Sequence, residues 1–261
     1  MNAISRRAVV LAASISACAL LPAQAAAQDT DIHILCSNGF RAAMLKLQPG
    51  FEHSMERKMN IQFGASASFK HTIESGEPFD LAILTPQIVA DLIKEGKIAA
   101  GTAVDLASSG IGVAVRAGLP KPDVSTGQAI KQTLLKAKAV GYVKEGASSP
   151  AITDLLSRLA IGDEVQRKTV FQPGAERNMA SVAEGQTDVA FGLISEILPS
   201  PGVQLAGPLP PEFQKRIGLT AGIASSTKNR KAVNEIVKSL TSPTAAATIK
   251  AVGLDPAGNG K

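Results

Sequence analysis

The chain has no tryptophan and one tyrosine, and aromatic residues fill only 3% of its 261 positions. Proteins that grip single-stranded nucleic acid stack bases on aromatic rings, so that platform is missing. Charge offers no substitute, because there is no run of five or six like charges and no basic stripe carrying aromatics. Nucleic acid is therefore set aside as a partner. Cysteine is as scarce, with Cys18 and Cys36 alone. The three histidines, His33, His53 and His71, are too widely spaced for a local metal-ligand pattern, so neither a metal nor another cofactor is expected. Also missing are the phosphate-loop pattern G-x-x-x-x-G-K-[ST], a G-x-G-x-x-G after a strand, and a G-x-S-x-G nucleophile elbow.

Long apolar runs are confined to the N-terminus. Arg6 and Arg7 precede an uncharged stretch at 8–21, followed by the small residues Ala23-Gln24-Ala25 and Ala25-Ala26-Ala27. A basic start, an apolar middle and an A-x-A end form an export signal, which assigns 1–27 to a signal peptide cut near Ala25 or Ala27. The stretch is about 14 residues, short of the roughly 20 a bilayer core needs, so no membrane span is expected. A buried N-terminal helix is the plain alternative. Ser5-Arg6-Arg7 is similar to a twin-arginine signal, and Ile15-Ser16-Ala17-Cys18 resembles a lipoprotein box, although the apolar run continues past Cys18 to Leu21. Without the signal the charge is 25 basic against 22 acidic residues, a formal +3 in place of +5. Cys36 then has no intramolecular partner. It lies in the apolar run Ile32-His33-Ile34-Leu35-Cys36, as a buried inert thiol would.

The remaining residues alternate short apolar runs with amphipathic stretches. Strands are expected at 31–36, 60–63, 81–84, 111–116, 139–142, 189–193 and 217–224. Helices are expected at 40–51 (with Met44, Leu45 and Leu47 inward), 69–75, 86–95, 125–137, 150–159, 178–184, 228–240 and 243–252. This is the rhythm of βαβ units, hence an α/β fold with mixed, mostly parallel sheet.

Ligands of open α/β sheets bind beyond the carboxyl ends of the strands, where helix starts present free N–H groups. Four turns carry small or polar residues at that point: Cys36-Ser37-Asn38-Gly39-Phe40-Arg41, Phe63-Gly64-Ala65-Ser66-Ala67-Ser68, Glu145-Gly146-Ala147-Ser148-Ser149-Pro150 and Pro173-Gly174-Ala175-Glu176-Arg177-Asn178. Each alone reads as a helix cap. Together they point to a shared cleft for an anion. The acidic pairs Glu74 with Glu77 and Glu176 with Glu184 read as solvated helix surface.

The same turns carry a resemblance. The chain resembles the periplasmic molybdate-binding-protein-like branch of the type 2 substrate-binding proteins that serve ABC importers. The likeness covers almost all of the mature chain. It is clearest at 32–51, at Phe63-Gly64-Ala65-Ser66-Ala67-Ser68, at the E-x-G-x-P-x-D segment Glu74 to Asp80, at 91–98, and at Ala183-Glu184-Gly185-Gln186-Thr187-Asp188-Val189-Ala190-Phe191-Gly192. The resemblance implies two α/β lobes, 28–108 with 217–261 and 109–216, closing on a small anion in the periplasm. It further implies a monomer with an ABC permease as partner.

The family's pocket is only partly kept. Ser66 matches one pocket serine, Gly39 stands where the other is expected, and Leu193 replaces a tyrosine. Ser148 and Ala175 fall at backbone contact positions. The resemblance thus nominates Asn38, Gly39, Ser66, Ser148 and Ser149 for the ligand, with Arg41, Lys70 and Arg177 as added cations. Those cations suit an organic carboxylate better than molybdate. Aconitate isomerase, a periplasmic enzyme that also resembles this family, supplies the alternative of proton transfer on a tricarboxylate, with Glu176, Glu145, His71 or Tyr142 as base.

Overall fold

The computed structural model describes residues 31–258; the segment expected to be an export signal, 1–27, lies outside them. The described chain begins with β1 (Ile32–Ser37), α1 (Asn38–Met55), β2 (Met59–Gly64), α2 (Ser66–Glu74), β3 (Leu81–Leu84) and α3 (Pro86–Lys94). Alternation decides which side each strand residue serves. Ile32, Ile34, Cys36, Leu81 and Ile83 enter one apolar cluster with Phe40, Met44 and Phe51. Leu35, Ala82 and Leu84 enter another with Phe69, Ile73 and Leu92. Both faces of the sheet are therefore covered.

α1 runs beyond the expected 40–51, passing through Pro49 to Met55. A helical proline forfeits one backbone hydrogen bond. Phe51 is buried beyond it, and the Glu52 carboxylate ties the last turns to the next strand by accepting from Gln48 and from the Met59 N–H. Met44 points inward as expected, whereas Leu45 is 47% exposed, since its neighbour lies about 100° around the helix.

β4 (Val104–Arg116) is twice as long as the 111–116 expected. Ser108-Ser109-Gly110 reads locally as a breaker, but sheet pairing overrides that preference. The second half follows as α4 (Gly127–Lys136), β5 (Val140–Val143), α5 (Ser149–Arg158), α6 (Gly162–Gln166), β6 (Thr169–Gln172), α7 (Ala175–Ala183), β7 (Val189–Leu193), α8 (Ile194–Ile197) and β8 (Val203–Pro208). The chain closes with β9 (Arg216–Ile223), α9 (Arg230–Leu240), α10 (Pro243–Ala251) and β10 (Asp255–Pro256).

The strand order is β2-β1-β3-β9-β4-β7-β5-β6, with β8 and β10 also on β4. β1 pairs in parallel with β2 and β3, and β5 with β6 and β7. These are the βαβ ladders that the alternation predicts. The antiparallel pairs are those of β9 with β3 and of β4 with its neighbours. β4 faces β9 from Val104 to Gly110 and β7 from Ile111 to Val115. The sheet is thus mixed and flanked by helices, in two lobes with a cleft between them.

Asp80, the last residue of the E-x-G-x-P-x-D segment, is a structural tie. Its carboxyl accepts the His33 N–H at 2.9 Å, the Asn229 side chain at 3.3 Å and the Thr227 hydroxyl. It joins the starts of β1 and β3 to the loop before α9.

Candidate functional site

The four polar turns meet. A cavity of about 30 Å³ is lined by Ser37 and Asn38 at the start of α1, Ala65 and Ser66 at α2, Ser148 at α5 and Ala175 at α7. α2 and α7 begin at Ser66 and Ala175, three residues earlier than expected, which carries both helix starts to the cavity wall. Ser37, Ser66 and Ser148 are all buried. None of these four helices has a side-chain cap. By contrast, Thr126 caps α4 and Ser242 caps α10. α3, α6 and α9 also lack a side-chain cap, so what sets the four turns apart is that they line one cavity together, where first-turn N–H groups stand beside three buried serines. The Ser66 hydroxyl oxygen accepts the Thr85 N–H at 3.2 Å, which leaves its proton to donate into the cavity.

Among the described residues no Lys or Arg lines this cavity; its positive character comes from helix termini. The single ionisable lining residue is Glu196, on α8. Burial pushes its carboxyl up from 4.5 to about 7, against the opposing hydrogen bond from the Leu193 N–H at 3.0 Å. Sequence reading missed Glu196. The available signal is its place just beyond the carboxyl end of β7, flanked by the apolar residues Ile194, Ile197 and Leu198. Ser37 stands in the first polar turn but was passed over for Asn38 and Gly39.

The cavity continues in two directions. Through Asn38, Ala175 and Glu196 it adjoins a groove of about 340 Å³ beside α1, whose lining includes Arg41, Leu45, Lys46 and Glu176. Through Ser66, Gly146 and Ala147 it opens into a wide mouth of about 1130 Å³, where Ser149, Glu145 and His71 stand. Arg41 lies over the Phe63 ring, 4.7 Å from its centroid, and reaches Glu176 of α7 at 3.4 Å.

Lys70 and Arg177 are not among the residues of cavity, groove or mouth. Lys70 is held between Glu74 and Glu95, at 2.6 and 2.8 Å, and the two carboxylates raise its proton affinity above the ordinary. Arg177 binds Glu184 and Gln186. Tyr142 is buried edge-on against Phe171. His71 lies beside Glu74 with an exposed side chain. The Cys36 thiol is fully buried and held above its ordinary range by that burial, so it is a poor nucleophile.

Gly39 and Leu193 are coupled. A Cβ on Gly39 would lie 2.7 Å from Leu193 Cδ1, so a side chain at 39 competes for the space that Leu193 fills. Gly39 itself is behind the wall, where its carbonyl accepts the Ser195 hydroxyl at 2.9 Å. Gly39→Ser is expected to cost about 1–3 kcal/mol by overpacking. Leu193→Ala should relieve most of that cost in a double-mutant cycle of urea melts, and additive effects would show that the two positions do not compete.

Comparison with known proteins bears on the whole described chain. The model of the bacterial extracellular solute-binding proteins matches residues 32–255. An aconitate isomerase of a Pseudomonas species is 29% identical over 240 residues, covering 90% of this chain and 91% of that protein. The molybdate-binding protein ModA of Azotobacter vinelandii is 24% identical over 254 residues, 96% and 97% of the two chains. The solved periplasmic molybdate-binding protein of Azotobacter vinelandii superposes with a TM-score of 0.73 at 19% identity, over 86% of this chain and 98% of that one. With helix starts gathered at one cleft and a match running from the first described strand to the last, this chain belongs to the bacterial extracellular solute-binding protein family.

Proposed function

We propose that the protein is exported to the periplasm, captures a small anion in the central cavity and delivers it to an ABC permease. The observation that carries this reading is the meeting of four uncapped helix starts with the hydroxyls of Ser37, Ser66 and Ser148. Each helix start favours a negative charge by about 0.3–1 kcal/mol, and each hydrogen bond to a charged group adds roughly 1.5–3 kcal/mol. A volume of about 30 Å³ holds little more than a water, so entry requires the lobes to part. We assign 28–108 with 217–261 to one lobe and 109–216 to the other, with movement centred where β4 passes from β9 to β7 at Gly110. Anions should raise the melting temperature, since saturation at 100 times Kd adds about 2.7 kcal/mol. Ser66→Ala is expected to weaken binding about 10- to 100-fold by titration calorimetry. Unchanged affinity in that variant would remove the anion from this cavity.

A second reading is favoured by Glu196. A carboxyl that titrates near neutrality inside the ligand cavity is suited to proton transfer. The protein then acts on an unsaturated polycarboxylate, moving a proton from one carbon to another as an isomerase would. Incubation with cis- or trans-aconitate, followed in the ultraviolet, tests this. Turnover should vanish in Glu196→Gln while binding persists, and a flat spectrum with the wild-type protein would remove the reading.

A further inference from the structure

The groove beside α1 has features that a single-centre oxyanion does not use. It shares Asn38, Ala175 and Glu196 with the central cavity, so the two lie side by side with those residues common to both walls. Its walls include Ala42, Leu45 and Pro199, and its rim carries the two cations Arg41 and Lys46. Leu45 is an exposed large apolar residue on a helix whose other large apolar side chains, Phe40, Met44, Leu47, Phe51 and Met55, pack against the core. Arg41 is the better-placed cation. Its guanidinium is braced on the Phe63 ring and only 39% exposed, while the Glu176 side chain it meets at 3.4 Å is 79% exposed. An ion pair with so solvated a partner is weak, and another carboxylate can replace it. The bidentate fork of an arginine suits such a group.

We propose that the groove is a second ligand subsite, which takes the carbon skeleton and second acidic group of an organic polycarboxylate whose first carboxylate sits among the four helix starts. Arg41 receives that second group in place of Glu176. Lys46 supplies further positive potential at the rim. The inference rests on anion capture in the central cavity and names the ligand class for that same site.

Calorimetric titration of the purified protein with molybdate, sulfate, succinate, glutarate and tricarballylate tests it, using wild type, Arg41→Gln, Ala42→Phe and Ser66→Ala. The di- and tricarboxylates should bind more tightly than the oxyanions. Arg41→Gln should weaken them about 10- to 100-fold and leave any oxyanion binding within twofold. Ala42→Phe, which fills the groove, should act in the same direction without touching a charge. Polycarboxylate affinity that survives both substitutions overturns the subsite, as does tightest binding by molybdate or sulfate; in either case a loss in Ser66→Ala still upholds the central cavity. No binding of any anion, or indifference to Ser66→Ala, removes the central cavity and the groove with it.

Discussion

Glu196→Gln is expected to abolish a pH dependence that the wild-type protein shows in both stability and anion affinity. In the folded chain the Glu196 carboxyl titrates near 7, against 4.5 for the ordinary group. Between those values the folded chain holds a proton that the unfolded chain has lost. Stability therefore falls as pH rises from about 4.5 to about 7, by roughly 3 kcal/mol in all. Above 7 the penalty is constant, and the glutamine variant, which never ionises, should be the more stable protein there. Binding follows the same sign, because an ionised Glu196 repels an anion in the cavity it lines. Arg41 and Lys46 of α1 and Glu176 of α7 face the adjoining groove and set the background field. If only the protonated form binds, affinity for an anion of constant charge such as sulfate drops about tenfold between pH 6 and 8. A flat wild-type profile in both melts and titrations would place Glu196 outside the ligand's reach.

Asp80→Ala should be among the most destabilising single substitutions in the protein. Asp80 as a whole is 7% exposed, and its carboxyl receives three donors, from His33, Thr227 and Asn229. Removing the acceptor strands all three in a place water reaches poorly, at about 1–3 kcal/mol each when no partner is found. Partial relaxation makes a loss of roughly 3–5 kcal/mol the expected result in urea denaturation. Asp80→Asn keeps one acceptor and should lose about half as much. Anion affinity, measured well below the melting temperature, should be unchanged in both variants, because Asp80 does not line the cavity. A change in affinity with stability intact would contradict the structural role given to this residue.

The parts of the fold that sequence made legible are those fixed by local pattern. β1, β3 and β7 are short apolar runs, α9 has clean periodicity, and Ser242-Pro243 marks where α10 begins. What stayed hidden depends on partners far along the chain. The first half of β4 is a strand because β9 lies beside it. β6 and β8 carry too little periodicity to stand alone. The site divides in the same way. Ser66, Ser148 and Asn38 were visible because four turns with small polar residues follow strands of one α/β chain, where anions bind at helix starts. Arg41, Lys70 and Arg177 look alike in sequence, yet only Arg41 faces the cleft, since Glu74, Glu95 and Glu184 occupy the other two. Glu196 was missed because its environment is set by tertiary packing and no spacing announces it.

β4 gives up one partner and takes another without breaking, so one extended segment belongs to two successive hydrogen-bonded ladders. A connection of that kind stores bending elastically rather than swivelling freely. The two halves of the sheet cannot melt separately either, because loss of either ladder strips much of the pairing from the same strand. Calorimetry should therefore record a single transition whose van't Hoff and calorimetric enthalpies agree. A ligand held in the cleft should shift that whole transition upward without splitting it in two.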